Sequence, residues 1–171
     1  MSIIEVVEEL VAGGKLINRP SSMLNISARS LYVVPELYAH TQPPFPDTLC
    51  GERFAAVAQH FDAFCELNMV TVSENPFRKP PDVMLARVSP VEYEFWSMRI
   101  TEPEETAGIR VIGAFCGKDA FTALTWEFRE DIGDFGAEVE DAQGAWRDYF
   151  GSVGPYSGSC LDDYLTNYDE Q

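Results

Sequence analysis

At residue 83 the apolar residues of this chain stop recurring every three or four positions and begin to recur every two. That change of period constrains the fold more than any motif does. Before it, Ile3, Val6, Val7, Leu10 and Val11 fall on one helical face, and Phe54, Val57, Ala58, Phe61, Phe64 and Cys65 fall on another. After it come VMLARV, YEFWSMRIT, IRVIGAF and AFTALTWEF, four strand-length runs rich in β-branched and aromatic residues. CGKD, between the third and fourth runs, has the chemistry of a hairpin turn, and TEPEETAG is a longer polar loop. Helices segregated from an antiparallel meander define an α+β chain.

The remaining segments complete one domain over 1–171. Ser2 is suited to cap the first helix and Gly13-Gly14 to stop it. SARSLYVV reads as a helical run capped by Asn25 or Ser27, breaking near Val34 and restarting at Pro35, since proline removes a backbone donor. SENPFRKPPD (73–82) reads as a linker between a helical part (1–72) and a sheet-plus-helix part (83–150), and it holds Arg78-Lys79, the only adjacent basic pair. Phe135, Val139, Ala142, Trp146 and Phe150 predict an amphipathic helix docked on the sheet, with Glu138, Glu140, Asp141 and Asp148 on its outer side. Residues 151–171 form an acidic end suited to cover a sheet edge or stay mobile. The expected fold is thus N-terminal helices packed with a roughly four-stranded antiparallel sheet and a C-terminal helix. Within its second strand, Trp96, Met98 and Ile100 share one face while Tyr93, Phe95, Ser97 and Arg99 share the other.

Charge narrows the function. The 28 acidic against 12 basic side chains give −16, and residues 127–171 alone hold 12 acids and 2 bases. Such a field repels phosphate backbones and anionic membranes, so nucleic acid is a disfavoured partner and a basic protein a favoured one. No apolar run reaches the roughly 20 residues that span a bilayer, and MSIIEVVEEL carries acids where a signal peptide needs bases, so a cytoplasmic location is expected. Cys50, Cys65, Cys116 and Cys160 lack paired spacings and read as free thiols; no metal and no cofactor is expected. GxxxxGK[ST], GxGxxG, HExxH and GxSxG are absent from the sequence.

Candidate chemistry is sparse. His40 and His60 have no motif around them, and His60 with Cys50 forms a nucleophile pair only if the fold brings them together. Glu127, Glu130, Asp131 and Asp134 cluster after the last strand but fit no calcium loop, and solvated acids near a helix start explain them. Tyr93, Phe95, Trp96 and Trp126 are the candidates for an aromatic ligand pocket between the N-terminal helices and the sheet.

Over residues 83–150, the order FWSMRIT, GIRVIGAFCGKDAFTAL, TWEFRED and a helix ending AWRDYF resembles the RelE/HigB-like toxin superfamily. In that family a small antiparallel sheet carries arginines on two neighbouring strands, a basic pair follows the last strand, and a helix packs behind. Its members cleave messenger RNA on the ribosome and are neutralised by an antitoxin. The resemblance implies that Arg99, Arg110 and Arg129 are catalytic, stabilising charge on a scissile phosphate through guanidinium hydrogen bonds. This chain reads Arg129-Glu130-Asp131 at the basic pair, so the pair is not retained. A plainer role for Arg99 and Arg110 is pairing across strands with acids. Three expectations follow: a noncatalytic binding or regulatory module with a RelE-like sheet, a ribosome-dependent endoribonuclease, and a small-molecule binder with an aromatic pocket. Whether the chain is an enzyme at all is left open, as is its oligomeric state.

Overall fold

The computed structural model describes residues 1–23 and 28–171. Asn25 and Ser27, read as possible helix caps, lie outside the described residues.

The elements run α1 (Ile3–Ala12), β1 (Ile17–Asn18), β2 (Ser30–Val33), α2 (Pro35–His40), α3 (Leu49–Cys65), β3 (Val70–Ser73), β4 (Leu85–Arg87), β5 (Phe95–Ile100), β6 (Ile109–Gly117), β7 (Ala120–Phe128), α4 (Phe135–Phe150), α5 (Leu161–Tyr164) and β8 (Tyr168–Glu170). The strands form one eight-stranded sheet in the order β1-β2-β7-β6-β5-β4-β3-β8. The fold remains α+β, but the expected sheet of roughly four antiparallel strands is corrected to eight strands of mixed direction. β4 to β7 are the antiparallel meander that the period-two runs foretell. The other four strands are only two to four residues long. β2 joins β7, and β3 joins both β4 and β8, by parallel pairing between distant segments. Strands so short show no alternation long enough to be recognised, and parallel neighbours announce themselves by no local turn.

Two corrections follow from the same pairings. SLYV, read as helical, is β2, because Leu31 and Val33 bury fully against the sheet; the helix does begin at Pro35, where a missing N–H costs nothing. The proline-rich segment from 73 to 82 connects β3 and β4, two strands of one sheet, rather than a helical half and a sheet half.

Helices cover both faces. Residues paired across β5 and β6 share a face, so Phe95, Ser97, Arg99, Arg110, Ile112 and Ala114 look one way, while Trp96, Met98, Ile100, Ile109 and Val111 look the other. α4 closes the first face, with Trp146 edge-on to Phe95 at 6.3 Å, and α1 packs beside α4 and on β6. α2, α3 and α5 close the second: Phe54 of α3 meets Trp126 and Phe128, and Tyr164 of α5 meets Trp96 and Phe115. Trp96, Phe115, Phe121 and Tyr164 are wholly buried there, each contributing about 1.5–3 kcal/mol from area alone.

Buried arginine holds the second face together. Arg29, fully buried, donates to the carbonyls of Phe64, Asn68, Thr166 and Asn167 and pairs with Asp119 at 3.3 Å. It thereby ties the end of α3, the β6–β7 turn and the C-terminal segment into one knot, and β8 then covers the outer edge of β3. Among the described residues no helix is long and apolar enough to cross a membrane.

Candidate functional site

The sheet brings the three arginines of the resemblance to one place. Arg99 and Arg110 are direct register partners on β5 and β6, so their side chains leave the same face from Cα atoms about 4.5–5.5 Å apart. β7 ends one pair further on, and Arg129 follows it in a single 3₁₀ turn, near enough for its charge to disfavour protonation of both Arg99 and Arg110. Gly108 permits this corner: its φ is +84°, and a Cβ there would lie 2.0 Å from the carbonyl oxygen of Ile100.

A fourth cation completes the group. Lys79 reaches in from the β3–β4 segment, its ammonium 5.5 Å from the centroid of Phe135, and its pKa is lowered by burial and then by Arg99 and Arg110. Arg110 is only 9% exposed. Burial first, then Arg99 and Arg129, push its pKa down to about 10, a clear departure for a group that ordinarily titrates above 12. Arg99 is half-buried and lowered by burial first and then by Arg129, with Asp82 opposing.

What these cations lack is carboxylate. Arg19, Arg29, Arg53 and Arg87 pair with carboxylates and His60 is bonded to Glu102; among the described residues no such pair involves Lys79, Arg99, Arg110 or Arg129. Instead Arg99 donates to the Pro80 carbonyl at 2.8 Å and Arg110 to the Ile109 carbonyl of its own strand at 3.3 Å. The plainer expectation, that these arginines pair across strands with acids, is therefore corrected. Glu127, the register partner of Arg110 on β7, turns its carboxylate onto the Phe128 N–H at 2.8 Å. Glu130 is drawn to the opposite face, where it accepts from both terminal guanidinium nitrogens, Nη1 and Nη2, of Arg53. That hydrogen bonding holds its pKa down at about 2. Arg53 also donates to the Gly108 carbonyl and lies 4.1 Å from the centroid of Phe128. Glu130, which follows Arg129 in the chain, is thus paired away from the cluster.

Through the resemblance, the sequence points to Arg99, Arg110 and Arg129 as site residues but not to Lys79, which the fold places beside Arg99 and Arg110. The signal was present in Arg78-Lys79, the one adjacent basic pair, but only the pairing of β3 with β4 carries that segment to the end of β5.

The aromatic candidates are divided. Tyr93 and Phe95 line a cavity of about 390 Å³ with Trp146, Arg147 and the 151–155 segment, at the end of α4. Trp96 and Trp126 lie on the far face, Trp96 in the core and Trp126 against His40 and Phe54. Adjacent strand residues point oppositely, so Phe95 and Trp96 belong to different layers.

The other candidates are separated too. Cys50 and His60 stand ten residues apart on α3, about 15 Å along its axis. His60 pairs with Glu102 at 3.0 Å, and the His40 ring stacks on Phe54 at 4.6 Å. Asp134 caps α4 through the Gly136 N–H. Compared with family models, curated proteins and solved structures, the chain matches none.

Proposed function

We propose that this chain is a noncatalytic binding protein that takes an anionic group at Lys79, Arg99, Arg110 and Arg129. One observation carries the reading: in a chain of net charge −16, four cations gather with no carboxylate paired to them among the described residues, and Arg110 is a buried residue, 9% exposed. A buried charge without a counter-ion costs stability unless something supplies one. Thermal unfolding measured across a panel of small anions tests this. A saturable rise in Tm that disappears in Arg110→Gln supports the reading; no saturable rise with any anion overturns it.

The acidic layer favours a second contact, with a basic protein. α1 exposes Glu5, Glu8 and Glu9, and α4 beside it exposes Glu140, Asp141 and Asp148. Opposite charge on a partner would speed encounter and make binding salt-dependent. Capture at low salt that survives Glu140→Lys with Asp141→Lys would remove this contact from the proposal. A cytoplasmic location belongs to the same reading, supported by four free thiols, two of them exposed.

The catalytic version, a RelE-like ribonuclease, would use Arg99, Arg110 and Arg129, and their convergence at one sheet end is what favours it. In cell-free translation it expects transcripts to be cut by the chain and left whole by Arg110→Ala. Intact transcripts with both proteins leave the binding reading alone.

A further inference from the structure

We infer that the ligand of the cationic cluster is a compact phosphomonoester dianion, a deepening that rests on the anion-binding reading above. Two features of the site point to it.

The first is the number and form of the donors. A lone carboxylate is satisfied by one arginine fork, whereas Arg99 and Arg110 stand as opposed register partners with Lys79 and Arg129 beside them. Three terminal oxygens sharing two charges can accept from several such donors at once. The second is the contrast between near and far fields. The chain as a whole carries −16, which opposes the approach of an extended polyanion. Screening over about 8 Å leaves a small anion governed by its immediate neighbours. The nearest of those neighbours are the four cations, none of them ion-paired among the described residues, and the half-burial of Lys79 and Arg99 limits their screening by water.

The groups facing the site are Lys79 and Asp82 from the β3–β4 segment, Arg99 from β5, Arg110 from β6, Glu127 from β7, Arg129 after it, and Glu138 from α4. Arg110, pushed down only to about 10, keeps its charge at neutral pH, and the ligand's own second ionisation, near pH 6 for a phosphoserine, is expected to set the pH dependence.

Calorimetric titration of the full chain with N-acetyl-O-phosphoserine amide, sulfate, acetate and a short single-stranded RNA lacking terminal phosphate tests the inference. Affinity for the phosphoserine probe is expected to rise about tenfold from about pH 5 to about pH 7, following its dianion fraction. Sulfate, ionised throughout, is expected to bind with little change; a parallel rise for sulfate would place the pH dependence in the protein rather than in the ligand and overturn the assignment. Arg110→Gln is expected to weaken the probe about tenfold or more. The exposed Arg129→Ala should weaken it in the same direction and serves if the first variant fails to fold, while Lys15→Gln should leave it unchanged. Acetate binding as tightly as the phosphoserine probe would overturn the dianion and leave the anion site standing. Preference for the RNA would overturn it in favour of a phosphodiester ligand. Failure of every anion to bind would remove both readings.

Discussion

Arginine is buried on both faces of the same end of the sheet, on opposite terms. Behind β6 and β7, Arg53 is held by Glu130, the Gly108 carbonyl and the Phe128 ring. In front of them, Arg99 and Arg110 face each other and are crowded further by Lys79 and Arg129. The first arrangement explains itself as structure, since every charge has its complement. The second lowers the stability of the folded chain, because desolvation and like-charge repulsion act together. Strain of that kind is tolerated where a ligand removes it. On the proposed reading, the difference separates arginines that hold the fold from arginines that bind a ligand.

Substitutions should sharpen that contrast. The largest effect is expected at Arg29, where methionine removes the guanidinium donor shared by four carbonyls and the cation paired with Asp119. Urea unfolding should show a loss of about 3–5 kcal/mol, and an unchanged midpoint would deny that the buried pairs hold the fold. Arg53→Met should cost less, because Glu130 is half-exposed and can return to water. Here pH supplies the sharper test. Glu130 titrates at about 2 when folded, against about 4.3 for an unperturbed glutamate. Its contribution is therefore complete above the unfolded value and lost as pH falls towards the folded one. Midpoints followed across that window should drop less in Arg53→Met than in the parent chain.

Arg110→Met should reverse the sign, raising stability by about 1 kcal/mol while anion binding is lost. If instead it destabilises as Arg29→Met does, the two groups of arginines do not differ in kind. Arg129 is exposed, so Arg129→Ala should leave stability within about 0.5 kcal/mol in the same urea experiment.

Much of the candidate site was legible. Arg99 and Arg110 could be seen on neighbouring strands because β5 and β6 are long, strongly patterned and joined by one polar loop. The destination of Glu130 was not, since nothing near it in sequence names Arg53, 77 positions away. Judged by sequence, Glu130 and Asp131 cancelled the cationic character of the segment; in the fold, Glu130 is spent on the opposite face. Phe95 and Trp96 show the reverse case, for their alternation alone separates them, and a pocket using both conflicted with the strand that carried them.

By itself the sequence determined the elements whose hydrophobic period is sustained: α1, α3, the meander from β4 to β7, and α4. It also determined the net charge and the concentration of acids near the C-terminal end. Only the tertiary structure decided that β2, β3 and β8 extend the sheet, that helices cover both faces, and that Lys79 joins three arginines. Periodicity is a local property that each segment carries on its own. Pairing between distant short strands, and the choice of which acid meets which base, exist only when the whole chain has closed around its core.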